Sequence, residues 1–252
     1  MADVHISLAA EPLTTIASLT VTNAMVTGLV GSLVVLIIFF LASRALSVSP
    51  KSRLSQVIES ITELLQGMTE DILHSPAKVV SLLPLLLTFF AFILINNWLG
   101  LIPGVGSIYV ETVHGKVPLF RAATADLNTT LALALISVGM TQYWAIKELG
   151  VVKHLKKYVS LNPIMLFVGF LELVSEVSRV ISFTFRLFGN IFAGEVLLVV
   201  MTYLVPLLLP VPFYFLEVFV GLIQALVFTL LTLVFIGVAT SEHEQAPAAE
   251  PA

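Results

Sequence analysis

A chain of 252 residues that is 58% hydrophobic and only 11% charged, with a mean hydropathy of +1.03, lies outside the composition of soluble domains and reads as a polytopic membrane protein. The absence of cysteine excludes disulfides, thiolate metal sites and cysteine nucleophiles. The net charge of −4 says little by itself, and no metal, cofactor or nucleic-acid partner is expected.

In chain order, the first basic residue is Arg44, so no basic segment precedes the first apolar run and no cleavable signal peptide is expected. That run predicts a first membrane span over 21–45. Over 50–74, Leu54, Val57, Ile58, Ile61, Leu64, Leu65, Met68 and Ile72 recur at helical spacing opposite Glu59, Glu63, Gln66 and Glu70, with Pro50 suited to the first turn. The pattern predicts an amphipathic interfacial helix, and its acidic polar face fits a protein partner as well as a bilayer surface. A second span follows over 79–102, a loop over 103–125, and a third span over 126–149, where Asp126 is placed as N-cap. Two longer apolar pieces, 161–205 and 211–240, are separated by Pro206, Pro210 and Pro212, which suit a turn. Both exceed a perpendicular crossing, which predicts a strongly tilted hairpin. The tail over 241–252, rich in Ala, Pro and Glu, is expected to be disordered.

Basic residues set the orientation. Arg44, Lys51, Arg53 and Lys78 flank the first connection, and Lys147, Lys153, Lys156 and Lys157 lie between the third and fourth spans, against Lys116 and Arg121 in the loop between. The positive-inside rule then places the N-terminus outside and the C-terminus in the cytoplasm, with five crossings.

The polar pattern within 161–205 carries the chemistry. At about 100° per residue, Glu172, Ser175, Arg179, Ser182, Arg186 and Asn190 fall within about 40° of one line along a helix. Arg179 has Glu176 at i−3, and a local ion pair explains it. Arg186 has no carboxylate within a turn; its neighbours there are Ser182, Phe183, Gly189 and Asn190. A guanidinium at bilayer depth costs about 2.5–3.5 kcal/mol by insertion scales, and intramembrane charges mark ion paths, so its partner is expected elsewhere. Glu195 projects about 180° from Arg186 and is expected to serve a different aqueous space. Glu217 and Gln224, seven residues apart, share a face of the last helix. Antiparallel packing across the proline turn would bring Glu195 and Glu217 to similar depth, as one proton-accepting inlet.

The string R-L-F-G-N-I-F-A-G-E over Arg186–Glu195, with G-L-I-Q-A-L-V-F-T-L-L-T over 221–232, resembles subunit a of the rotary F-type ATP synthase. The likeness extends through P-x-x-x-L from Pro50, N-N-W-L-G-L-I-P-G from Asn96 and D-L-N-T-T-L from Asp126, over nearly the whole chain. The resemblance implies an all-α membrane stator whose last two helices face a ring of subunit c proteolipids, each with one membrane-embedded carboxylate. It implies that Arg186 is the essential stator arginine, and that Asn190, Glu195, Glu217 and Gln224 line two aqueous half-channels. Glu172, Ser175 and Ser182 match further channel positions. Some bacterial members carry histidine in place of Glu217. The implied mechanism has the cation favour the ionised form of each passing rotor carboxylate, so that its proton leaves on the cytoplasmic side and is replaced from the opposite half-channel. Implied partners are the subunit c ring, the subunit b peripheral stalk, the soluble ATPase sector indirectly and the bilayer, in a bacterial inner membrane; the chain itself is implied to be non-catalytic.

Two other readings compete with this one. An ion-coupled secondary transporter predicts repeated halves and paired helix breaks, and the sequence has neither. An intramembrane hydrolase would need a nucleophile or metal motif, yet G-x-S-x-G and H-E-x-x-H are absent, and His5, His74, His114, His154 and His243 lie outside the apolar cores.

Overall fold

The computed structural model describes residues 9–16, 19–45, 53–102, 108–112, 115–158, 163–205 and 208–241. Pro50, Pro206, the 103–107 part of the loop and the tail after Ser241 lie outside these residues. Seven helices are present among them: α1 (Asn23–Ala45), α2 (Arg53–Leu73), α3 (Pro76–Gly100), α4 (Leu127–Leu149), α5 (Val151–Tyr158), α6 (Pro163–Leu204) and α7 (Pro210–Ser241). Five are long and apolar enough to cross a membrane: Asn23–Arg44, Pro76–Leu101, Leu127–Leu149, Pro163–Leu204 and Pro210–Thr240. The chain is therefore an all-α membrane protein, as its hydropathy predicts. Helices suit this solvent because they satisfy their own backbone groups.

Helix ends follow local chemistry. Proline opens α3, α6 and α7, where a missing N–H costs nothing. Asp126 caps α4 by accepting from the Thr129 N–H at 3.4 Å, and Gly150, at φ 80°, ends it in a conformation that side chains disfavour. The 42 residues of α6 rise about 63 Å, roughly twice the ~30 Å hydrocarbon thickness.

Three features depart from the sequence reading. The loop before α4 holds an antiparallel pair, β3 (Tyr109–Thr112) and β4 (Gly115–Pro118), and a tight 3-10 turn at Ala123–Ala125. A second hairpin, β1 (Pro12–Ile16) with β2 (Leu19–Thr22), precedes α1. The basic connection after α4 contains α5. All three are too short to leave a periodic signal.

Packing centres on α3, α4, α6 and α7, with α1 and α2 against α3. Phe228 of α7 is the hub: its ring centroid lies 4.9 Å from Phe183 of α6 and 5.5 Å from Phe89 of α3. Around these rings Leu65, Ile93, Leu133 and Leu187 are buried. Of the apolar positions on α2, Leu65 is buried and Ile58, Ile61, Met68 and Ile72 are half-buried, while Val57 and Leu64 remain exposed. Glu59, Glu63, Gln66 and Glu70 face outward.

Polar bonds fix α7 against its neighbours. Asn97 Nδ2 donates to the Gly221 carbonyl at 3.1 Å, Trp98 Nε1 to the Val218 carbonyl at 3.1 Å, and Ser137 and Thr232 share a bond of 2.7 Å. Thr124 Oγ1 donates in turn to Asn97 Oδ1 at 2.7 Å, which joins the turn before α4 to this seam.

Candidate functional site

Charge on α6 is distributed in three places. Near its start, Arg179 bonds Glu176 Oε1 at 2.9 Å and lies 3.8 Å from Glu172 Oε1, so both acids beside it are engaged. Seven residues on, about 10 Å along the axis, Arg186 is exposed, and among the described residues its polar contact is Ser182 Oγ at 3.4 Å. No carboxylate of the described residues pairs with it. Ser182 and Asn190 share its exposed face, and Ser175 is half-buried. Elsewhere on its circumference, about 100–180° from Arg186, the helix presents exposed apolar side chains, Val177, Ile181 and Phe185 among them. Asn190 Nδ2 reaches across to Gln224 Oε1 at 2.6 Å, a contact that links the Arg186 face of α6 to α7.

Beyond Asn190 the helix turns its other side to a cavity. Glu195 and Glu217 both line this space of about 200 Å³, with Asn97, Phe120, Ile191 and Tyr214. Several waters fit in such a volume, since one needs only about 10–15 Å³ of it. Glu217 is buried because Gly194 has no side chain: a Cβ there would collide with the Glu217 carboxyl group. The glycine before Glu195 thus permits the close approach of α6 and α7 that puts both carboxyl groups on one cavity. Arg121 closes the arrangement, its Nε 3.4 Å from Glu195 Oε2.

A second polar space lies at the opposite end of the α6–α7 pair. Gln142 of α4, His154 and Tyr158 of α5, and Glu172, Glu176 and Arg179 of α6 surround a gap of about 10 Å³, the size of one water. Tyr158 donates to Gln142 Oε1 at 3.2 Å, and its ring meets that of buried His154 at 5.4 Å. Arg186 stands between the two spaces, about 10 Å along the helix from Arg179 and about 13 Å from Glu195.

Several of these residues escape sequence reading. Arg121 registers there as a basic loop residue, yet its side chain is 5% exposed and packed on α6. His154 counts as one of five scattered histidines, but α5 folds it against the acids of α6. Of the others, His74 joins α2 to α3 at φ 50°, and His5, His114 and His243 lie outside the described residues. Gly194 had a signal in its place directly before Glu195, but only the packing of α7 gives it meaning.

Comparison with known proteins gives two findings. The family model described as ATP synthase A chain matches residues 24–237. The chain is also 34% identical over 197 residues to ATP synthase subunit a 2 of Bradyrhizobium sp., which covers 78% of this chain and 79% of that one.

Proposed function

The chain belongs to the ATP synthase A chain family, and from that premise we propose that it conducts protons past a rotor through two half-channels separated by Arg186. As a member it is a multi-pass, non-catalytic membrane subunit of ATP synthase, the proton-translocating stator component. The observation that carries the finer reading is the position of Arg186, exposed and without a carboxylate partner among the described residues, between two polar spaces at opposite ends of α6 and α7.

In this reading the N-terminus faces the periplasm of a bacterial inner membrane and the C-terminus the cytoplasm. The cavity of Glu195 and Glu217 is then the outer inlet, and Glu172 lines the cytoplasmic exit. Protons pass from the inlet by way of Asn190 and Gln224, a reading supported by the bond that links these two residues across α6 and α7. Each rotor carboxylate of the subunit c ring accepts a proton there and returns to the lipid neutral. When it meets Arg186 after a revolution, the cation favours its ionised form and the proton departs inward past Ser182, Ser175 and Glu172. Arg186 also separates the two spaces, so flow requires rotation. Each proton contributes about 2.3 kcal/mol per 100 mV. The exposed face of α6 that carries Arg186, Ser182 and Asn190 is where the ring would lie, and tilt accommodates the excess length of α6. Subunit b is the expected partner of the acidic face of α2.

Reconstituted complex tests the reading directly. The chain should co-purify with a ring of small proteolipids and soluble ATPase subunits. Arg186→Ala should leave that assembly intact and abolish ATP-driven proton pumping in vesicles. Pumping at the native rate by the Arg186→Ala complex would refute it, and loss of the subunit from the complex would assign the arginine a structural role.

A further inference from the structure

Arg121 has an environment unusual for a loop arginine. Its guanidinium is buried, and burying a charge is costly unless it is paired and hydrogen-bonded. Its partners come from three separate parts of the chain. One terminal nitrogen donates to the Ala9 carbonyl at 2.8 Å, ahead of β1, and the main-chain N–H donates to Thr27 Oγ1 of α1 at 3.2 Å. Towards α6, Nε stands 3.4 Å from Glu195 Oε2, and the guanidinium carbon lies 5.9 Å from the ring centroid of Phe192. The residues on either side of it, Phe120 and Ala122, line the inlet cavity. One terminal nitrogen thus ties the fork to the N-terminal segment at the wall of that cavity, while Nη2 makes no hydrogen bond among the described residues and Nε faces, as an ion pair, a carboxylate that is itself 39% exposed.

We propose that Arg121 is a positioning residue for proton entry: it fixes Glu195 by one carboxylate oxygen and holds the group at the inlet opposite Glu217. The inference rests on the inlet reading above. It divides the two acids by environment, since Glu195 is tied to a cation anchored in the N-terminal segment, whereas Glu217 packs against Gly194 with no basic residue of the described chain paired to it. An arginine that merely stabilised the fold would affect both acids alike. One that positions Glu195 acts through Glu195 alone.

A double-mutant cycle in the whole reconstituted complex separates these, with ATP-driven proton pumping as the readout and subunit content as the control. Arg121→Gln should reduce pumping about tenfold. In that background Glu195→Gln should add little, because the group it removes is already misplaced, while Glu217→Gln should retain its full effect. Equal, multiplicative losses for both acids would overturn the positioning role, as would native pumping by Arg121→Gln alongside an impaired Glu195→Gln. If neither acid variant is impaired in the native background, the inlet reading itself fails, which is a distinct result. Should Arg121→Gln not assemble, Arg121→Lys carries the same cycle. It keeps the charge but lacks the fork, so it should be impaired and show the same selectivity for Glu195, and full multiplicativity there would equally refute the proposal.

Discussion

Two turns of one helix hold the same side chain in opposite circumstances. Around Arg179, α6 supplies Glu172 and Glu176, and the charge is neutralised within the chain. Around Arg186 it supplies Ser182, and no carboxylate of the described residues pairs with the guanidinium. The difference separates a charge balanced by the helix carrying it from one that the described residues leave without a carboxylate. Completeness of pairing, more than depth or residue type, is what distinguishes the two arginines.

The largest break in this comparison should come from Arg186→Lys. If Arg186 acts on a passing carboxylate, an ammonium that lacks the planar fork and sheds its proton when desolvated should lower proton-driven ATP synthesis at least about a hundredfold. Normal synthesis in vesicles carrying this variant would remove the functional distinction between the two turns.

Arg179→Gln should have a much smaller effect. Its ion pairs are partly screened, with side chains 16–22% exposed, so their loss should cost about 1 kcal/mol of stability and leave pumping within about threefold of native. Thermal denaturation of the complex and pumping measured together would check this. Loss as severe as at Arg186 would mean that the paired arginine also acts on protons.

Thiol labelling sharpens the comparison through water access, whatever each substitution does to pumping. The chain has no cysteine, so single introductions are read without background. Ser182→Cys and Asn190→Cys should react with small water-soluble reagents, Ser175→Cys more slowly, and Leu187→Cys, buried at 0% exposure, should not react. Ile181→Cys is the informative control. It is 51% exposed but sits off the polar stripe, so slow labelling there would show that the face is bounded by lipid and only the stripe is wet.

The membrane helices were legible because a bilayer imposes long apolar runs that no tertiary contact can disguise. Arg186 was legible for the converse reason, that a charge without a local partner breaks such a run. The pairing of Arg179 with Glu176 and the capping by Asp126 could also be read, since both are contacts within a turn. Arg121 could not: its contacts with Ala9, Thr27 and Glu195 join segments far apart in sequence. The surroundings of His154 depend likewise on how α5 folds back, and the hairpins are held by cross-strand bonds over four or five residues. Sequence therefore points to a charge without a local partner more readily than to a cavity wall built from distant segments.

The seam between α7 and its neighbours bears on force. Val218 and Gly221 are held by Trp98 and Asn97, and Thr232 by Ser137, so attachment recurs at levels about 16 Å apart. Each such bond between membrane helices is weak, on average about 0.6 kcal/mol. Yet sliding α7 by a single residue, about 1.5 Å, would put all of them out of register together. A helix fastened at both levels resists axial creep and rolling far better than apolar contact alone, which slides over a smooth surface. Drag from a turning neighbour would thus be passed into α3 and α4 as load on the frame, leaving the facing surface in place.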